Sequence, residues 1–386
     1  MAKLTGSTDP ETAVPNHPEF PLEEGLIYLN HAAVAPWPRR TTEAVHAFAE
    51  ENSRRGAADY PLWHAVETRL RERLQRLIGA PSAADIALLK STSEGLSVIA
   101  HGLDWEAGDN VVISDQEFPS NRIVWESLAR YGVETRQAGL AARATPEEAM
   151  MAACDDRTRL LSVSSVQYAT GLRMDLEALG AFCRRRGILF CVDAIQSLGA
   201  LRFDAQAAGA DFVVADGHKW MLGPEGIALF YVRPALRERL RLYQYGWHMV
   251  EHMGDFARSE WEPAASARRF ECGSPNMLGI HGLEASLSLL EETGMEAVEA
   301  AVLERSEFLH RRCSECGELE VITPAGRLAG IVTVRSRREE AGALHERLTG
   351  QGVVCIQRGG GVRLSPHFYT PWEDLEKAVE SLILRT

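Results

Sequence analysis

From residue 85 onward the chain alternates short β-branched and aliphatic runs with stretches of helical spacing, and this rhythm constrains its fold more than any other feature. The runs are Ile86 to Leu89, Asn110 to Ile113, Leu160 to Ser164, Ile188 to Val192, Phe212 to Ala215 and Ile227 to Val232. Strands separated by helices pair in parallel, because a parallel pair needs a long crossover and a helix supplies it. The stretch Asp175 to Gly187 has the marks of such a crossover: apolar residues at helical spacing, an acidic first turn, Arg184 to Arg186 in the last turn and a closing glycine. A mostly parallel sheet wrapped by helices is expected, which is an α/β fold.

Between about 235 and 270 the rhythm breaks, and Tyr243, Tyr245, Trp247 and His248 stand among charges. Two helical stretches follow, Gly279 to Glu292 and Met295 to Arg312, then strand-like Gly330 to Val334, a helix through Leu344 to Leu348 and strand-like Val353 to Cys355. A second domain is expected from near 272. The 386 residues suffice for two or three domains, and 45% hydrophobic with 25% charged residues are globular proportions. No internal repeat or low-complexity tract is found.

With 54 acidic against 41 basic side chains, the net charge of −13 opposes attraction to phosphate backbones and anionic lipid. Neither nucleic acid nor a membrane is an expected partner. The first residues, Met1 to Pro10, lack the apolar centre of a signal peptide, and no uncharged apolar run approaches the ~18–20 residues that span a bilayer. The expected location is the cytoplasm. The 7 cysteines, several inside apolar runs, read as reduced thiols rather than a disulfide framework. Cys313 and Cys316 have half the spacing of a zinc site without its other half, so they read as ordinary helix-end thiols and no metal is expected.

Ligands of open α/β sheets sit beyond the carboxyl ends of the strands, so the residues that follow each run carry the chemistry. Lys90-Ser91-Thr92-Ser93-Glu94-Gly95 opens a helix with hydroxyls and free N–H groups, which suits a phosphate and equally suits an ordinary capped helix. Asp193 follows another run, and Asp216-Gly217-His218-Lys219-Trp220 places a lysine where it can form an imine. A phosphate cradle, a strand-end aspartate and a strand-end lysine on one sheet edge are the three anchors that pyridoxal 5′-phosphate requires.

Asp193 to Ser197, Gly217 to Lys219 and Gly223 to Gly226, in that order, resemble the class V aminotransferase and cysteine desulfurase family of fold-type I pyridoxal-phosphate enzymes. The likeness extends to Tyr28 to Ala33, Thr92 to Gly95, Arg269 to Asn276 and Arg363 to Pro366. The resemblance implies three parts. A segment 1–24 packs with the small domain, residues 25–271 form a large domain with a mainly parallel seven-stranded sheet, and 272–386 form a smaller C-terminal α+β domain.

It also implies roles. Lys219 binds the cofactor as an imine, Asp193 pairs with its ring nitrogen and Gln196 lies near its phenolic oxygen. Thr92, Ser93 and His218 hold the phosphate, and Ser274 reaches the phosphate in the neighbouring subunit, which implies a homodimer with shared sites. Phe118 falls where the family stacks an aromatic ring on the cofactor, although a core phenylalanine reads the same way. Arg363 matches the arginine that grips a substrate carboxylate. Asn30 and His31 are substrate-side candidates, and Gln167 is a cofactor-side candidate for a place that Tyr168 fits as well.

The chain departs from the desulfurases in three places. Cys355 lies close before Arg363 in an apolar run, without the loop that carries a mobile nucleophilic thiol, and Glu117-Phe118 stands where they have a histidine pair. Asp216 replaces a serine that helps bind phosphate, and a carboxylate there would repel the phosphate unless protonated or turned away. The expected activity is therefore transamination of an amine or amino acid. A lyase, an epimerase or racemase, and a kynureninase-like hydrolase share the scaffold, and a non-catalytic binding relative is the rival from another class.

Overall fold

The computed structural model describes residues 17–383, so residues 1–16 of the expected N-terminal segment lie outside the described residues. Seven strands form the large sheet: β1 (Ile86–Leu89), β2 (Asn110–Ser114), β3 (Glu134–Ala138), β4 (Thr158–Ser164), β5 (Leu189–Asp193), β6 (Phe212–Asp216) and β7 (Ala228–Val232). Their order is β1-β7-β6-β5-β4-β2-β3, and every pairing is parallel except the two made by β7. The sheet is mainly parallel and the fold is α/β, of fold type I.

Six of these strands read from sequence as unbroken apolar runs because both faces of the sheet are covered. Val192, Val213 and Leu229 belong to the core on one face, and Cys191, Phe212, Val214 and Phe230 to the core on the other. The strand Glu134–Ala138 has no such run. It is an edge strand bonded to β2 alone, and only Ala138 of its residues is buried. The missing apolar pattern is the consequence of that position.

The smaller unit carries an antiparallel sheet of β8 (Leu319–Val321), β9 (Val332–Ser336), β10 (Ile356–Arg358) and β11 (Gly361–Leu364), ordered β10-β11-β9-β8. Its apolar face buries Val332, Val334, Val362 and Leu364 against the helices Met295–Glu315, Ala341–Gly350 and Trp372–Ile383. Ile27–Tyr28 pairs in parallel with Val353–Val354, and the Phe20 ring lies flat on that of Tyr369, so the chain entering the large domain is tied to the small one.

The helix Met277–Thr293 lies beyond the expected boundary at 272, yet Ile280, Leu283, Leu287 and Leu290 share the core of the large sheet. Between 240 and 266 the chain is irregular, with Tyr243, Tyr245, Phe256 and Trp261 exposed. It is anchored near the base of this stretch by partly buried Arg71, which bonds both carboxylate oxygens of Glu271 at 2.6 and 2.7 Å and Glu67 at 2.5 Å. Buried His248 comes within 3.6 Å of Glu271 and 3.9 Å of Glu67, but the guanidinium already occupies both carboxylates. Among the described residues no helix is long and apolar enough to cross a membrane.

The helix Thr92–Gly102 sits close on the sheet because Gly95 has no side chain: a Cβ there would stand 2.7 Å from Val214 Cγ1. Alanine is favoured over glycine by about 1 kcal/mol in an exposed helix, whereas overpacking costs ~1–3 kcal/mol. Gly95→Ala should therefore lower stability in urea unfolding; a gain would show that this contact does not set the helix position.

Candidate active site

The strand order reverses between β2 and β4, and the carboxyl ends around that point converge on one crevice. Asp193 closes β5 and Asp216 closes β6, followed by the turn that holds Lys219. Gly217 N–H donates to Ile227 O, Gly223 N–H to Gly217 O and Leu222 N–H to Lys219 O, which fixes the turn from both sides. The turn packs closely on a neighbouring helix, since a Cβ at Gly223 would stand 2.6 Å from Leu283 Cδ1, and Leu222 adopts a left-handed φ of 61°.

Asp193 is buried, and its Oδ1 accepts the Ile195 N–H at 3.1 Å. Burial first, then the charges of Glu117 and Asp216, raise its pKa above the ordinary aspartate value, against the Ile195 bond and Lys219. Lys219 is half-buried. Burial lowers the amine below the ordinary lysine value and Arg363 and Arg358 add to this, while Asp193 and Asp216 oppose it. Each group is thus pushed toward its neutral form, and a ligand with a cationic ring nitrogen and an aldehyde relieves both.

Sequence reasoning missed Glu117 as a site residue. This buried carboxylate accepts bonds from Ser114 Oγ (2.9 Å), Asn121 Nδ2 (2.8 Å), Ser164 N (3.0 Å), Ser164 Oγ (2.6 Å) and Gln167 Nε2 (3.1 Å). Gln167 is thereby locked, with its Oε1 buried and unpartnered. Phe118 is 40% exposed, so it is no core residue. Its ring centroid lies 5.7 Å from Lys219 Nζ, and its edge meets Tyr168 at 5.2 Å.

The helix Thr92–Gly102 begins at this edge, capped by Ser91, whose side chain accepts the Glu94 N–H. The N–H groups of Thr92 and Ser93 make no hydrogen bond within the described residues. Thr92 Oγ1 accepts the Asp216 N–H at 3.0 Å, and Ser93 Oγ donates to Ser120 Oγ at 2.8 Å. Free donors at a helix start, with His218 beside Asp216, fit a phosphate.

On the far wall Arg363 is 2% exposed and donates from Nη1 to Tyr168 O at 2.8 Å, while its Nε is unpartnered. Burial, and then Arg358, lower its pKa to about 10. Among the described residues no carboxylate pairs with it, so its fork is open to a carboxylate from outside. Asn30 Oδ1 is likewise buried and without a partner.

One expectation needs correction. His31 is fully buried: its Nδ1 is bonded to Ser365 O at 2.8 Å and its Nε2 to Tyr369 Oη at 2.6 Å. Burial lowers its pKa to about 4, and no ring nitrogen is left for a substrate. Gln196 is also committed, donating to Ala32 O at 3.0 Å and accepting from Trp220 Nε1 at 2.9 Å, so that one N–H of its amide is free. Ser274 is exposed and lines a cleft with Lys90, Glu94 and Gly226, not with Lys219. Cys355 and Cys313 are buried, each thiol pushed up to about 12 by burial.

A family model described as aminotransferase class-V matches residues 27–376. A probable cysteine desulfurase of Methanothermobacter thermautotrophicus is 27% identical, over 94% of this chain and 96% of its own length. A cysteine desulfurase of Salmonella typhimurium is 29% identical, over 85% of this chain and 82% of its own. A cystine C–S lyase solved in complex with its reaction product cysteine persulfide superposes with a TM-score of 0.88 at 23% identity, over 94% of this chain and 99% of that one. The apo cysteine desulfurase of Thermococcus onnurineus NA1 gives 0.84 at 23% identity, over 95% and 96%. These two structures share the fold.

The raised pKa of Asp193 makes a prediction for the cofactor-free chain. Between the ordinary value and the raised one the folded state binds the proton and the unfolded state does not, so this contribution is present at low pH and is lost as pH rises through the folded value. Over that window, cofactor-free wild type should lose stability relative to Asp193→Asn in urea unfolding at several pH values. Parallel curves for the two proteins would contradict the assignment.

Proposed function

The chain belongs to the aminotransferase class-V family, and from that membership we propose that it is a pyridoxal-phosphate enzyme that transaminates an α-amino acid as a homodimer. The observation that carries the reading is Arg363, a buried guanidinium with an unpartnered Nε, close enough to Lys219 to depress its amine.

Asp193 would hold the ring nitrogen, Lys219 the aldehyde carbon, the Thr92 and Ser93 N–H groups the phosphate, and Phe118 one face of the ring. Bound pyridoxal phosphate supplies a conjugated system that takes up the electron pair released when a bond to the substrate Cα breaks. Arg363 then binds the substrate carboxylate through its fork and sets which Cα bond faces Lys219. Lys219 Nζ, which burial keeps partly uncharged near neutral pH, takes the Cα proton. Phe118 lies over the amine and meets Tyr168 edge to face. We place Ser274, exposed on its own subunit, at the partner's phosphate.

Transamination asks for one proton carrier and a carboxylate grip, which these groups supply. Sulfur transfer to a protein thiol asks for more: Cys355 is buried, its thiol is disfavoured as thiolate, and the tight β10–β11 hairpin follows it instead of a long loop. Release of sulfur to solution from a sulfur-bearing amino acid is a second reading, favoured by relatives named cysteine desulfurase over most of the chain.

Turnover of an amino-acid panel, with and without a 2-oxo acid, separates the two. Transamination predicts turnover only with the acceptor present, and sulfide and ammonia formed without it would overturn the proposal in favour of the lyase. In either case Arg363→Ala should leave the resting cofactor spectrum unchanged and weaken carboxylate-bearing substrates by roughly 2–5 kcal/mol, whereas Cys355→Ala should leave turnover intact. Turnover lost in Cys355→Ala and kept in Arg363→Ala would contradict both readings.

A further inference from the structure

Asp216 stands at the edge suited to a phosphate, where a bare carboxylate would repel it. Its surroundings give it another task. Oδ1 lies 3.0 Å from His218 Nδ1, and the two side chains are only 10% and 15% exposed. The pair is at hydrogen-bonding distance without the alignment of a closed bond, and neither atom has another hydrogen-bond partner. The backbone of the same residue is fastened by its N–H to Thr92 Oγ1, which joins the Asp216–His218 turn to the start of the helix Thr92–Gly102.

We propose that Asp216 is a positioning residue for the cofactor phosphate: its carboxylate takes the Nδ1–H of His218 and turns the ring so that Nε2–H is presented to the phosphate. This rests on the pyridoxal-phosphate reading above. A neutral imidazole has one donor and one acceptor nitrogen, so with Nδ1–H given to Asp216 a neutral ring would offer the phosphate a lone pair. A ring placed between two anions and protonated on both nitrogens donates to each. The carboxylate then delivers a cation to the phosphate instead of its own negative charge. Lys219 and Asp193 share this edge, and Asp216 favours the charged form of the first and disfavours that of the second, while Arg363 and Arg358 act on Lys219 in the opposite sense.

Titrating the cofactor-free full chain with pyridoxal phosphate and, separately, with phosphate-free pyridoxal tests this, read by imine absorbance. The proteins are wild type, Asp216→Asn, Asp216→Ala, His218→Gln and Asp216→Asn combined with His218→Gln. With His218 present, both Asp216 variants should bind pyridoxal phosphate roughly tenfold more weakly and pyridoxal within about twofold of wild type. In the His218→Gln background, Asp216→Asn should leave binding unchanged or tighten it, because the carboxylate is then an unpaired anion beside the phosphate. Tighter binding by Asp216→Asn with His218 present, equal losses for both ligands, or equal losses in both backgrounds would each overturn the proposal. Two substitutions are used so that if one fails to fold the other decides. Failure of wild type to bind either ligand would instead overturn the reading on which the proposal rests.

Discussion

Two opposite charges drawn out of water at the ends of adjacent parallel strands are what the rest of the site is arranged around. Asp193 and Lys219 are held by β5 and by the turn after β6, and burial drives each toward its neutral form. The protein pays for that arrangement with packing elsewhere: both faces of the sheet are covered, Leu222 is held in a left-handed conformation, and Leu283 of a distant helix fits against the glycines of the turn. A pyridinium beside Asp193 and an aldehyde at Lys219 would complete what the chain alone leaves unbalanced.

Around this pair the supporting groups divide by strand. Glu117 after β2, fixed by five donors from three segments, adds negative charge near Asp193 and holds Gln167 in place. The helix start at Thr92 is tied to β6 through Asp216 N–H, which joins its free N–H donors to the lysine turn. Arg363 comes from the other unit, on β11, and reaches the large domain by its bond to Tyr168 O. Arg363 and the Lys219 turn therefore belong to different sheets.

The strands and the lysine turn were legible because each leaves a local mark: a run buried on both faces, then a polar residue at its end. Glu134–Ala138 left none, since an edge strand needs no apolar pattern. Glu117 was invisible for a different reason, as its partners Ser164 and Gln167 are far away in sequence and a lone glutamate after a strand looks like any surface acid. His31 shows the converse error, in which a residue inside a family motif is spent on Ser365 and Tyr369 and serves the packing of the N-terminal chain. Phe118 was ambiguous in sequence, and its exposure over Lys219 excludes a core residue. Helical spacing announced the helix Met277–Thr293 but not the layer it joins, because periodicity gives the buried face of a helix and not its neighbour.

The central claim is that Lys219 is the residue that binds the cofactor covalently. Borohydride reduction of the enzyme loaded with pyridoxal phosphate, followed by peptide mapping, tests it most directly. The account predicts a pyridoxyl group on the peptide that contains Lys219; a label on Lys90 or Lys377, or no label on a protein that retains the cofactor, would contradict it.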